Sequence, residues 1–158
     1  MSNCLQSTTP EARLAELGLQ LPPAPSPVAN YVAYRLEGTT LYISGQVPKS
    51  AEAETLTGRL GDDLSVEAGY SHARNCALQV MAVARRAVGD LSRLSLIKVV
   101  GMVRSTPDFG EHPQVVDGAS DLLTAVFGAD GLHARSAFGV ASLPRRSSVE
   151  IEAIFHVR

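Results

Sequence analysis

Two cysteines are all that the 158 residues contain. Cys4 and Cys76 are far apart and fit neither a C-x-x-C pair nor a zinc-ligand spacing. That excludes a disulfide scaffold and points to a reducing compartment. Charge is scarce as well. Charged residues make up 19% of the chain, and the formal net charge is -2. With a pI near 6.1, the balance offers no electrostatic footprint for nucleic acid or an anionic membrane. Long hydrophobic runs are missing too. The longest, around LIKVVGMV, holds Lys98 and is far too short to span a bilayer. The opening MSNCLQSTTP has neither a basic n-region nor an apolar h-region, so no secretory signal is expected. These absences predict a soluble, cytoplasmic protein with no membrane or nucleic-acid partner.

Familiar catalytic signatures are also lacking. Neither G-x-G-x-x-G nor G-x-x-x-x-G-K-[ST] occurs, which excludes a dinucleotide or P-loop site. Ser44 lies in YISGQ, without the glycine two places earlier that a nucleophile elbow needs. His72, His112, His133 and His156 show no metal-ligand spacing, so neither metal nor cofactor is expected.

What is present is a core. At 45% hydrophobic, a chain of this length forms one domain, residues 1–158, that buries roughly 68–70% of its unfolded surface. Residues 1–30 read as a short helix and a proline-rich lead-in. Thr9 caps that helix, Pro10 takes its first position, and it ends near Gly18. YVAYRLEGTTLYISGQV reads as a hairpin turning at Glu37-Gly38-Thr39. Residues 48–63 read as loop, with room for a short strand near Leu56. Ser65 caps a long helix over Val66 to Val88, whose Ala73, Ala77, Val80, Met81, Ala84 and Val88 form one stripe. LSLIKVVGMV is a buried strand. A second helix runs from about Gln114 to Phe127, with Val116, Ala119, Leu123 and Val126 on one face and Gly128 as its stop.

ARSAFGVASLPRRSSVEIEAIF, from Ala134 to Phe155, supplies two final strands joined by a short turn. From Val149 on, Val149, Ile151, Ala153, Phe155 and Val157 face one way, and Glu150, Glu152, Ile154 and His156 the other. The order β-β-(β)-α-β-α-β-β predicts an α+β fold, a sheet with both helices on one face. Its uncovered face would carry Tyr31, Ala33, Tyr42, Ser44, Phe138 and Ile154, apolar enough to predict self-association.

An arginine and a carboxylate are the chemistry left over. Arg135 offers a planar fork suited to a substrate carboxylate, or else a surface salt bridge, which spacing alone slightly favours. Glu150 can act as general base, or belong to a solvated sheet face. Glu152 and the turn residues Arg145 and Arg146 read as solvated.

SGQVP at Ser44 to Pro48, HARSAFGVASLP at His133 to Pro144 and VEIEAI at Val149 to Ile154 resemble the RidA family, also called YjgF or L-PSP. LAELGLQLPPAPSPVANYV and GASDLLTAVFG resemble its longer branch, the YjgF-like endoribonucleases. The resemblance spans nearly the whole chain. It implies a Bacillus chorismate mutase-like fold, a homotrimer with sites between subunits, and hydrolysis of reactive 2-imino or enamine acids to 2-oxo acids and ammonia. It places Arg135 on the carboxylate-binding arginine and Glu150 on the water-positioning glutamate. Tyr31, Ser44 and Gly45 fall on cleft residues. The chain departs at Ala137, where many members have cysteine, and on the second helix, where Ser120 is the nearest substitute for an asparagine.

An imine carbon is electrophilic once its nitrogen is protonated, so holding the carboxylate and aiming one water is chemistry enough. Two other readings are a small-molecule-binding trimer without turnover and an endoribonuclease. Arg135 and Glu150 open consecutive antiparallel strands, with an offset that predicts a separation on the order of 20 Å in one chain. If they share a site, they come from neighbouring subunits.

Overall fold

A computed structural model describes residues 9–26 and 29–158. Cys4, and Pro27 and Val28 of the lead-in, lie outside the described residues. The first helix, α1 (Pro10–Glu16), starts where its cap requires: Thr9 Oγ1 accepts from the Ala12 N–H at 3.2 Å. Its buried Leu14 joins the main core. Arg13 Nη1 donates to the Val126 carbonyl at 3.1 Å, and Glu11 Oε1 accepts from the Leu91 N–H at 2.9 Å. These contacts bind the leader helix to the domain.

β1 (Tyr34–Glu37) and β2 (Thr40–Gln46) pair as the expected hairpin, with Glu37 opposite Thr40 and Gly38 at φ 57° in the turn. No strand forms near Leu56, which corrects the reading that left room for one. Instead, isolated bridges join Lys49 to Thr55, Thr57 to Ser147 and Leu60 to Ser105. Each bridge has a different partner, and Gly58 and Gly61, both at positive φ, turn the chain before a ladder can propagate.

α2 (Val66–Val88) is capped by Ser65 as expected, and its stripe is buried except for the half-buried Val88. β3 (Leu94–Arg104) follows. α3 (His112–Phe127) begins two residues earlier than its apolar spacing suggests, because Pro113 fits the first helical turn. β4 (Ala134–Val140) and β5 (Val149–Val157) close the chain.

The five strands lie in the order β1-β2-β5-β3-β4. β3 and β4 are parallel, linked by the α3 crossover, and the other pairs are antiparallel. This is the α+β, chorismate mutase-like arrangement that the resemblance implied, a mixed sheet with α2 and α3 side by side on one face.

The alternation of β5 decides the layer. Val149, Ile151, Ala153 and Phe155 are buried under the helices, where Phe155 meets Phe127 with ring centroids 5.7 Å apart. Full burial of such a side chain contributes about 1.5–3 kcal/mol. The helices approach very closely at Gly118, where a Cβ would collide with the Tyr70 carbonyl oxygen. The opposite face has no helix over it. Tyr42 is 47% and Phe138 45% exposed there, and Met102 and Ile154 are half-buried beside them. Ala33, expected on that face, lines the cleft around Glu150 and is half-buried against the core.

Candidate functional site

The residues singled out in the sequence fall into two groups on opposite faces of the sheet. Around Glu150 a cleft of about 160 Å³ opens, lined also by Tyr31, Gly45, Lys49 and Arg145. β5 alternation turns Glu150 away from the helix layer, and a bulge in β2 between Ile43 and Gln46 brings Gly45 beneath it. The Glu150 carboxylate lies where a Cβ on Gly45 would be, with Oε1 against that position. Only glycine permits so close an approach. Glu150 is half-buried, and burial and then the neighbouring Glu152 push its carboxyl above the ordinary range. Glu152 itself is exposed, as expected, yet it acts on Glu150 through its charge.

Ser44 does not open into this cleft. Its Oγ donates to the Val32 carbonyl at 2.7 Å, and its N–H donates to the Ala33 carbonyl at 3.0 Å. The serine therefore holds the lead-in carrying Tyr31 onto β2.

The second group surrounds Arg135 on the edge strand β4. Arg135 stands in register with the buried Val99, which puts its side chain on the helix face. Nη1 donates to Asp117 Oδ1 at 2.8 Å and to Ser120 Oγ at 3.1 Å. Ser120 Oγ also lies 3.0 Å from His133 Nε2, and His133 Nδ1 lies 2.7 Å from the Gly131 carbonyl. A carbonyl only accepts, so in the neutral ring Nδ1 carries the proton and Nε2 accepts from Ser120. The donors run Arg135, Ser120, His133, and the Gly131 carbonyl accepts at the end of the chain. Ala137, two residues along β4 on the same side, packs against the core and does not line the Glu150 cleft.

Arg135 and Glu150 do not meet within one chain. Glu150 registers with Met102 and Arg135 with Val99, on either side of β3. Three rows at about 3.3 Å and two strand spacings at about 4.8 Å separate them by roughly 14 Å. The expected 20 Å was too long because it placed the two residues at the far ends of their strands. What parts them more firmly is the sheet itself, since they project from opposite faces.

Three residues beside these two groups escaped the sequence reading. Asp117 stands one helical turn before Ser120, and that i, i+3 spacing opposite an arginine strand was the available signal. Lys49 was not singled out, because nothing local marks it. Arg145 was read as solvated. It is exposed, but φ 54° and ψ 25° turn it along the cleft wall.

Comparison with known proteins agrees with this architecture. A family model described as YjgF/chorismate mutase-like, putative endoribonuclease, matches residues 11–155. Protein TCP17 of Trypanosoma cruzi is 46% identical over 145 residues, covering 90% of this chain and 91% of that protein. The 2-iminobutanoate/2-iminopropanoate deaminase of Dermatophagoides farinae is 29% identical over 137 residues, covering 86% and 92%. The crystal structure of Atu1372 from Agrobacterium tumefaciens superposes with a TM-score of 0.87 at 42% identity, covering 95% of this chain and 94% of that one. With the fold, its mixed sheet and nearly its full length in common, the chain belongs to the YjgF/chorismate mutase-like family, also called RidA.

Proposed function

We propose that this protein hydrolyses 2-imino and enamine acids to 2-oxo acids and ammonia, at sites between the subunits of a homotrimer. The observation that carries the reading is Glu150, a half-buried carboxyl of raised pKa held over Gly45 beside a small cleft. A general base that must also return its proton works best when its pKa approaches the working pH. The similar mite protein named as an iminobutanoate deaminase supports the reaction class.

In this mechanism, Arg135 of one subunit holds the substrate carboxylate, and Glu150 of its neighbour faces C2. Glu150 takes a proton from water as its oxygen attacks the protonated imine carbon. The proton then passes to the nitrogen of the carbinolamine, Glu150 takes the hydroxyl proton as the C–N bond breaks, ammonia leaves, and the 2-oxo acid remains. The opposite-face geometry supports the division between subunits, and the apolar, helix-free face carrying Tyr42 and Phe138 supports self-association.

Ammonia and 2-oxo acid release from imines generated in situ by an amino-acid oxidase tests the reaction. Release should vanish in a folded Glu150→Gln protein. A second reading, a binding trimer without turnover, draws on the Asp117 carboxylate that already occupies Arg135. No release across a panel of imine side chains would favour it.

A further inference from the structure

The cleft beside Glu150 holds more positive charge than the proposed reaction uses. Lys49 and Arg145 both line it. Among the described residues the ion pairs are Arg35–Glu37, Arg135–Asp117 and Arg158–Asp130, and neither cleft cation belongs to one. The two cations feel each other, for burial and then the Arg145 charge lower the pKa of Lys49. Glu150 does not neutralise them. A close cation would pull its carboxyl down, whereas burial and Glu152 hold it up.

Both cations are held in place by their backbones. The Lys49 N–H donates to Asn75 Oδ1 at 2.8 Å, and Asn75 Nδ2 donates back to the Lys49 carbonyl at 3.0 Å. Among the described residues, Lys49 Nζ reaches only the neutral Thr55 Oγ1, at 3.2 Å. Arg145 and Arg146 sit at φ 54° and 58°, a left-handed conformation that side chains rarely adopt. The turn is closed by the Arg146 N–H donating to the Leu143 carbonyl at 3.1 Å and the Ser147 N–H donating to the Pro144 carbonyl at 3.0 Å. Strain of this kind concentrates at ligand clamps.

We propose that Lys49 and Arg145 form an anion subsite for the substrate's side chain, so that the preferred imines derive from amino acids with a side-chain carboxylate. This rests on the reading above, in which the neighbour's Arg135 holds the other carboxylate. Placing an anion between the two cations relieves their mutual repulsion and supplies a counter-charge that no ion pair among the described residues gives them. A cleft of about 160 Å³ suits a small diacid.

Two measurements on the full chain test it. Calorimetry should show glutarate binding on the order of tenfold more tightly than its singly charged amide analogue, glutaramate. That gap should close in Arg145→Gly, which keeps the left-handed turn, and in Lys49→Gln, which keeps the Asn75 bonds. Kinetically, kcat/KM for imines generated from glutamate should exceed that for imines from methionine, and the ratio should fall in both variants. Equal binding of the two ligands, or a gap unchanged in both folded variants, overturns the subsite, including the case in which the cations hold the 2-carboxylate instead. Ammonia release without preference for the acidic imine sinks the subsite and leaves the reaction standing. A glutarate preference without ammonia release from any imine does the reverse.

Discussion

Mixing two inactive variants offers the most direct test of how the site is assembled. Arg135 and Glu150 lie about 14 Å apart by register and strand spacing, on opposite faces of one sheet, one under α3 and the other beneath the helix-free cleft. No small imino acid spans a sheet. Arg135→Ala and Glu150→Ala should therefore each be dead alone, yet recover when unfolded together and refolded as mixed trimers. A site works when the subunit supplying arginine is the Glu150 variant and its neighbour is the Arg135 variant. With equal amounts and random assembly that chance is one half times one half, so roughly a quarter of wild-type activity returns. The assay is 2-oxo acid release from an oxidase-generated imine, with light scattering to follow assembly. A co-refolded mixture of trimers as inactive as its parents would refute the shared interfacial site, and a monomer at micromolar concentration would refute it sooner.

Arg135→Lys keeps the charge but loses the fork, so kcat/KM should fall by about 10- to 150-fold, equivalent to about 1.5–3 kcal/mol; unchanged turnover removes the arginine from the site. Gly45→Ala pushes the Glu150 carboxylate aside, and a displacement near 1 Å should cost on the order of 100-fold in rate while the melting temperature moves little. Glu150 is raised above its ordinary value of 4.5, so between that value and its folded pKa the folded state binds more protons than the unfolded chain. Stability from this group is therefore present at low pH and lost as pH rises through that window. The melting temperature of Glu150→Gln relative to wild type should climb as pH rises from 4.5 through the folded pKa, and a difference that stays flat contradicts the burial argument. Wild-type activity should fall as pH drops through the same window. Gly118→Ala drives a Cβ into the Tyr70 carbonyl and should destabilise the helix pair by about 1–3 kcal/mol, read in thermal melts.

Much of the fold could be read from local pattern. Caps at Thr9 and Ser65 are chosen by short-range hydrogen bonds, which adjacent residues alone determine. The stripe of α2 and the alternation of β5 follow from helical and strand periods, and burial agrees with both. Where reading failed, the deciding partner was remote. Leu56 has β-like neighbours, but Thr57 and Leu60 beside it bridge to Ser147 and Ser105 from distant segments. Nothing near Gly118 in the sequence marks the Tyr70 carbonyl that stands against it.

The site divides along the same line. Sequence by itself offered the candidates, an arginine at one strand start and a glutamate at the next, because residue type and alternation are local properties; their proposed roles came from the family resemblance. Only tertiary structure decided what each faces. Inserting β3 between β4 and β5 put Arg135 in register with Val99 and Glu150 in register with Met102, and so on opposite faces. The bulge in β2 slid Gly45 under the Glu150 carboxylate, and burial raised its pKa. Packing of α3 brought Asp117 and Ser120 onto Arg135. The left-handed turn at Arg145 aligned a surface arginine with Lys49, nearly a hundred residues earlier in the chain. Such pairings depend on which strand lies beside which, and that is settled when the whole core closes.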